Sequence, residues 1–367
     1  METKSCLGCG LPLQNVDPNK PGYTPKADFD EHSLCQRCFR LKHYGEKYQD
    51  ITSIAPNYEE LLKKAVKQHC LIVYMIDLFN IESSMIKNID KIISNNPVLI
   101  VGNKRDILPK EMGDDKIKQF VYIALKKQNI HPKGVILTSS YSSYGLDELY
   151  EALNYLSNKK DVYFIGSSSV GKSSLINAMI KHYAKNKRDF IVTSPYLGTT
   201  LDKIDVTIES KLKVVDTPGD IPTDSYLTLV DKNTLKYMIP RNEIKPTTFQ
   251  LNKGQSILIG GLGKVNILDG ERAGYTCYFS EQIDLHRTKE DTSNEKFNSL
   301  IKQNQIKPIT NVVMGVENLV TFNFVLPNKK VDIVIVGVGF ISVYGKGQKV
   351  SIQVPEKVDV LVRDAYI

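Results

Sequence analysis

The run Gly166-Ser167-Ser168-Ser169-Val170-Gly171-Lys172-Ser173 follows the apolar stretch Val162–Ile165 and opens the apolar-periodic segment Ser174-Leu175-Ile176-Asn177-Ala178-Met179-Ile180. G-x-x-x-x-G-K-[ST] between a strand and a helix is the pattern of a phosphate-binding loop. Its glycines let the backbone wrap phosphates with N–H groups pointing inward, Lys172 reaches the β- and γ-phosphates, and the Ser173 hydroxyl is placed to ligate magnesium. Gly166, Ser169, Val170, Gly171, Lys172, Ser173 and Ser174 are the candidate nucleotide contacts here.

Around this loop, from about Tyr58 to Gly219, short apolar runs alternate with helix-like polar stretches. That is the texture of a parallel sheet covered by helices. Strands are expected at Leu71–Asp77, Val98–Val101, Val135–Thr138, Val162–Ile165 and Leu212–Val215, with helices at Lys116–Gln128, Leu146–Leu156 and Ser173–Tyr183. After about Ile221 the chain turns to β-branched runs divided by glycines: Ser256–Gly261, Leu319–Leu326, Asp332–Tyr344 and Val350–Val354. A mostly β C-terminal domain is expected there. Its polar segment from Glu281 to Lys307 reads equally as a helical insertion or a loop, and Tyr275, Tyr278 and Phe279 beside Cys277 as core or contact surface.

Three further motifs stand at predicted strand ends. Asp216-Thr217-Pro218-Gly219 ends Leu212–Val215, bringing a carboxylate toward the magnesium and a glycine N–H toward the γ-phosphate. Asn103-Lys104-Arg105-Asp106 ends another apolar strand. Asp106 can accept two hydrogen bonds from the ring N–H and exocyclic amine of guanine, a donor pair that adenine lacks. Adenine would leave the carboxylate unpaired, which gives large discrimination. Asn103 would tie the base loop to the phosphate loop, and the Lys104 stem would cover the ring face. Ser139-Ser140 follows Val135–Thr138, where a backbone N–H can meet the guanine keto oxygen. In Leu197-Gly198-Thr199-Thr200, Thr200 is the candidate switch threonine over magnesium and γ-phosphate, with Thr199 as the alternative. Ser173, Thr200 and Asp216 are the candidate magnesium ligands; Lys172, Thr200, Asp216 and Gly219 are the candidate catalytic set.

Together these motifs describe one guanine-nucleotide site at the edge of a parallel sheet. Their order is unusual, because N-K-R-D precedes the phosphate loop, whereas the phosphate loop comes first in common GTPases. A circular permutation would keep the site while moving the termini. The switch after Asp216 then runs almost directly into the C-terminal domain, so nucleotide state can reposition it.

Near the N-terminus, Cys6 and Cys9, then Cys35 and Cys38, form two C-x-x-C pairs. Two such pairs suit a tetrahedral structural zinc site, whose metal supplies much of the folding energy of so short a segment. His32 and His43 are alternative ligands. Beside the second pair, Gln36-Arg37-Cys38-Phe39-Arg40-Leu41-Lys42-His43-Tyr44 interleaves cations with aromatics that can meet phosphates and stack on bases. Arg37–Lys47 and Lys181–Arg188 are the candidate RNA-contact stretches, with solvated charge as the alternative for the second.

The 367 residues suggest two or three domains, and a net charge of +7 permits a polyanionic partner without demanding one. The most apolar windows, Leu71–Ile76 and Ile333–Val343, fall short of the roughly 20 residues of a membrane helix. No membrane partner is expected. The start Met1-Glu2-Thr3-Lys4 reaches Cys6 without an apolar core. No secretory signal is expected, and a cytoplasmic protein is.

The N-terminal C-x-G-C and C-Q-R-C-F-R-L-K-H-Y finger, followed by N-K-R-D, G-x-x-x-x-G-K-S, G-T-T and D-T-P-G, resembles the YqeH-type circularly permuted GTPases of bacterial ribosome biogenesis. The resemblance covers essentially the whole chain. It implies a zinc finger at 1–50, an α/β P-loop GTPase domain with a mainly parallel, circularly permuted sheet at 55–225, and a β-rich RNA- or protein-binding domain at 226–367. It also implies GTP and GDP, magnesium and zinc as ligands, and a role in maturation of the small (30S) ribosomal subunit, with 16S rRNA or its precursor and ribosomal proteins as partners. Two positions depart from the family. Relatives typically carry Asn where Ser169 stands, a residue associated with potassium-stimulated hydrolysis, so the resemblance leaves potassium dependence open. They also place a hydrophobic residue where Asp220 stands. Neither Asp220 nor Ile221 offers a water-orienting amide, so slow intrinsic hydrolysis is expected. The competing readings are a non-catalytic RNA-binding scaffold stabilised by GTP, and a P-loop ATPase or kinase, which N-K-R-D argues against.

Overall fold

A computed structural model describes residues 13–16, 23–25, 69–93, 95–183, 204–208, 212–217 and 219–366. The chain divides into two compact units. One joins the chain up to Leu78 with Ser84–Arg105 and Val121–Ile221; the other joins Phe79–Ser83, Asp106–Phe120 and the chain from Pro222 onward.

The first unit is built on a six-stranded sheet. Its strands are β1 (Leu71–Asp77), β2 (Val98–Asn103), β3 (Gly134–Leu137), β4 (Val162–Ile165), β5 (Ile204–Ile208) and β6 (Leu212–Asp216), in the spatial order β3-β2-β1-β4-β6-β5. All neighbours pair in parallel except β5, which runs antiparallel to β6. β1, β2 and β4 are buried along their whole length, which is why they read as unbroken apolar runs. From β1 the chain steps outward through β2 and β3, then returns to place β4 on the other flank of β1. Such a reversal opens a crevice at the carboxyl ends of the strands, where ligands of α/β sheets bind.

Among the helices are α1 (Asp114–Lys126), α2 (Leu146–Ser157) and α3 (Lys172–Tyr183). Leu146, Leu149 and Leu153 of α2, and Leu175, Ile176, Met179 and Ile180 of α3, share one core with Val73, Met75, Val101, Phe164 and Val214. Helical spacing in the sequence becomes an apolar stripe laid on the sheet. Several boundaries differ from the sequence reading. β2 runs on to Asn103 and β6 to Asp216, so both functional residues belong to their strands' ladders. Helix α1 starts at Asp114, where Asp114 and Asp115 complement the positive end of the helix dipole. β5 had no counterpart among the expected strands.

The second unit is dominated by two five-stranded sheets whose pairings are all antiparallel. One has the order β16-β13-β14-β10-β7, the other β11-β8-β9-β15-β12. The strands are β7 (Thr247–Leu251), β8 (Gln255–Ile259), β9 (Gly263–Asp269), β10 (Ala273–Phe279), β11 (Leu285–Lys289), β12 (Val320–Val325), β13 (Lys330–Ile335), β14 (Gly339–Tyr344), β15 (Lys349–Val354) and β16 (Val360–Asp364). The single apolar run expected at Asp332–Tyr344 is a hairpin, β13 and β14. Glu281–Lys307 contains strand β11 and a helix, α4 (Ser293–Lys302), whose Phe297 and Leu300 pack on Leu258. Tyr275, Cys277, Tyr278 and Phe279 are all buried and so belong to the core.

This unit also buries charge. The Arg363 guanidinium pairs with Glu82 and, at 3.3 Å, with Asp332, and lies 5.0 to 5.3 Å from the ring centroids of Phe120, Phe340 and Tyr366. Asp332 also accepts from the Ser342 hydroxyl and the Tyr366 N–H. Lys264 is buried as well, donating to Ser293 Oγ at 2.8 Å and to Asn294 Oδ1. Among the described residues, no helix is long and apolar enough to cross a membrane.

Candidate nucleotide site

The loop between β4 and α3 turns through three residues with positive φ: Gly166 at 152°, Ser169 at 68° and Gly171 at 95°. At Gly171 a Cβ would stand 2.4 Å from Asn103 Nδ2, so glycine is required both by conformation and by the close approach of the neighbouring loop. Ser169 occupies the left-handed region, which asparagine enters more readily than serine. Lys172 folds back into this loop, donating to the carbonyls of Gly166 at 2.9 Å and Ser167 at 3.0 Å. Two of its three donors are anchored, so the ammonium is pre-positioned with one donor left for a phosphate oxygen. Burial lowers the Lys172 pKa to about 8, against the opposing pull of Asp216 and Asp220.

Asp216, at the end of β6, is fully buried and accepts from the Ser173 hydroxyl at 2.5 Å through Oδ2. Its Oδ1 is buried without a hydrogen-bond partner. Burial raises its pKa to about 6, with Lys172 and the Ser173 hydroxyl pulling the other way. A buried carboxylate oxygen with no donor, beside a serine hydroxyl, is a hard-oxygen pair suited to magnesium. Thr217 donates its hydroxyl to the Phe164 carbonyl at 2.7 Å, locking the turn out of β6 to β4. Gly219 passes so close to the phosphate loop that a Cβ there would lie 2.6 Å from Ser168 Cα.

The β2 and β3 ends meet this loop through one side chain. Asn103 Nδ2 donates to the Val170 carbonyl at 2.9 Å, while its Oδ1 accepts from Thr138 Oγ1 at 3.2 Å and Ser140 Oγ at 3.3 Å. The Arg105 N–H donates to the Thr138 carbonyl at 3.0 Å, holding the turn that follows β2 against the turn that follows β3. Asp106 sits in that turn, a 3-10 segment over Arg105–Ile107. Ser139 spends its N–H on the Tyr144 carbonyl, and its hydroxyl accepts from the N–H groups of Tyr141 and Ser142. Of the serine pair, Ser140 is therefore the candidate for base contact.

One residue was not singled out from sequence. Asp77, the last residue of β1, lies beside Asn103 in the ladder and pairs with Lys104 at 2.5 Å. Its backbone N–H donates to Ser84 Oγ at 2.9 Å. Lys104 leaves the strand at φ 67° and is held by this buried carboxylate. The only trace in the sequence is an acid closing an apolar run. Thr199, Thr200 and Pro218 lie outside the described residues, as do Cys6, Cys9, Cys35, Cys38, Arg37–Lys47 and the part of Lys181–Arg188 beyond Tyr183. Among the described residues no group of three or more His, Cys, Asp or Glu side chains is placed to hold a metal, so the magnesium reading rests on Asp216 with the Ser173 hydroxyl.

Residues 161–259 match the family model described as 50S ribosome-binding GTPase, and residues 272–366 match YqeH-like, C-terminal. YqeH of Bacillus subtilis is 35% identical over 100% of both chains. NO-associated protein 1, chloroplastic/mitochondrial, of Arabidopsis thaliana is 26% identical over 78% of this chain and 59% of its own. GTPase Der of Mycoplasma mycoides is 28% identical over 56% of this chain and 47% of its own, so the chain spans about half the length of that relative. With a strand–loop–helix phosphate cradle and a full-length relative at this identity, the chain belongs to the YqeH-type GTPases.

Proposed function

We propose that this GTPase acts on the small (30S) ribosomal subunit, with its nucleotide state switching association with 16S rRNA or its precursor and with ribosomal proteins. In the site, Gly166, Ser169, Val170, Gly171, Lys172, Ser173 and Ser174 hold the phosphates, Lys104, Asp106 and Ser140 hold guanine, and Asn103 ties the guanine-reading segment to the phosphate loop. Ser173, Asp216 and Thr200 are the residues that would hold magnesium, which when bound neutralises charge on the β- and γ-phosphates. Lys172 stabilises charge on the γ-phosphoryl oxygens as they pass to water, and Gly219 offers its N–H to the same group. Cys6, Cys9, Cys35 and Cys38 would hold a structural zinc. The N-K-R-D segment precedes the phosphate loop in the chain, and we read that order as a circular permutation that leads the switch straight into the β-rich unit.

One observation carries the nucleotide reading: the Asn103 amide bound to the Val170 carbonyl, which ties the N-K-R-D strand end to the phosphate loop. Slow intrinsic turnover follows from Asp220, since a carboxylate cannot donate to and orient the attacking water as an amide does. The ribosomal reading rests on family membership; the net charge of +7 permits an RNA partner without demanding one. It is tested by cosedimenting the full chain with purified 30S and 50S subunits in the presence of GDP or a non-hydrolysable GTP analogue. Nucleotide-dependent pelleting with 30S is expected; equal recovery in both nucleotide states, or pelleting with 50S alone, would overturn it.

A further inference from the structure

Gly219 and Asp220 lie along the first half of the phosphate loop as a short parallel bridge, with Ser167 opposite Asp220. The Ser168 N–H donates to the Asp220 carbonyl at 2.6 Å, and the Asp220 N–H donates to the Gly166 carbonyl at 3.2 Å. Ser168 Oγ adds a bond to the Gly219 carbonyl at 3.3 Å. One amide of the phosphate loop is thus committed to the strap that follows D-T-P-G. The strap brings a negative charge with it. Burial works against ionisation of Asp220, while the Ile221 N–H and the positive fields of Lys172 and Lys87 support its carboxylate. Lys172 is the same ammonium that the phosphate loop presents to incoming phosphate.

A diphosphate and a triphosphate differ by one charged group, and the extra phosphate is the one that must enter where Gly219 and Asp220 lie. A carboxylate docked there repels that group through low-dielectric surroundings and shares its counter-charge. We propose that Asp220 is a specificity-determining residue that biases the site toward nucleoside diphosphate, so that a triphosphate binds only by peeling the Gly219–Asp220 strap from Ser168. The proposal rests on the reading of this loop as the phosphate site. It places the energetic difference between the two nucleotide states in one side chain, at the start of the segment that leads out of the sheet.

The test is calorimetric titration of the full chain, with magnesium present, using GDP and the β,γ-imido analogue of GTP. The ratio of the analogue's Kd to that of GDP is measured for the wild type, Asp220→Asn and Asp220→Glu. The ratio is expected to fall about tenfold in Asp220→Asn, equivalent to about 1.4 kcal/mol, and to stay near the wild-type value in Asp220→Glu. An unchanged ratio in Asp220→Asn, or the same fall in both variants, would overturn the proposal. If the wild type binds neither nucleotide, the site reading itself fails and the proposal falls with it; binding of both with an unmoved ratio leaves that reading intact.

Discussion

Asn103 and Val170 stand 67 residues apart in the chain, yet the Asn103 amide donates to the Val170 carbonyl at 2.9 Å. The same side chain accepts from Thr138 and Ser140, so one buried amide joins the ends of β2 and β3 to the phosphate loop. Removing it would leave the Val170 carbonyl and two hydroxyls short of a partner, each unmade bond costing about 1–3 kcal/mol when buried. Asn103→Ala is expected to weaken GDP binding at least tenfold and to lower thermal stability. Calorimetry and a melting curve measure both, and wild-type affinity in this variant would show that the tether does not shape the pocket.

Gly171 tests the same junction from the other side. Its φ of 95° and the 2.4 Å approach of Asn103 Nδ2 leave no space for a methyl group. Gly171→Ala should therefore push the two loops apart and reduce nucleotide affinity about a hundredfold, a strain of about 3 kcal/mol. Fluorescent-nucleotide titration reads the loss.

Asp77 and Lys104 form the ion pair that holds the second residue of N-K-R-D. In Asp77→Ala the Lys104 ammonium loses its buried counter-charge, at a cost of about 3 kcal/mol. The expected result is a lower unfolding midpoint together with weaker binding of guanosine, a probe without phosphates, because the Lys104 stem is no longer held in place. Wild-type guanosine affinity in a folded variant would assign the pair to stability alone.

The site should also respond to pH in a definite direction. Asp216 has a folded-state pKa of about 6, above the ordinary carboxylate value of 3.8. Between those two values the folded chain keeps a proton that the unfolded chain has lost, so this group makes the magnesium-free protein more stable as pH falls from about 7 toward 4. The full effect is about 3 kcal/mol. It is read as the difference between the wild type and Asp216→Asn in denaturant unfolding at each pH. The proton and magnesium compete for the same oxygens, so the magnesium concentration for half-saturation should rise as pH drops below 6.

In the β-rich unit, Asp332 shares the Arg363 guanidinium with Glu82. Asp332→Ala removes a fully buried partner of that cation and leaves the Ser342 hydroxyl and the Tyr366 N–H without their acceptor. A loss of about 3 kcal/mol in urea unfolding is expected. A change below 0.5 kcal/mol, the usual effect of an ordinary surface substitution, would contradict the assignment.

The legible parts of this fold were those where one physical requirement dominates the residue choice. Strands β1 and β4, covered on both faces, wrote unbroken apolar runs and were read to the residue. The phosphate loop announced itself because only certain residues reach its dihedrals and its charge. Edge strands were less visible: β5 lies at one end of its sheet, and β7, Thr247–Leu251, is largely exposed at the edge of another. β9 and β16 hid for a different reason. Lys264 is buried and Arg363 mostly so within them, and a sequence reading assigns such residues to solvent until their partners, Ser293 or Asp332, are seen. Asp77 escaped in the same way, because its function lies in a cation 27 residues away.

We propose above that the loop around Lys172 grips the phosphates and that Asp106 reads guanine. If so, Asp106→Asn exchanges an acceptor for a donor toward the base, which fits xanthine, with a keto oxygen where guanine has its amine. Calorimetric titration of both proteins with GDP and xanthosine diphosphate measures this directly. The account expects the wild type to prefer GDP and Asp106→Asn to prefer xanthosine diphosphate, each by at least a hundredfold; an unchanged preference in the variant would contradict it.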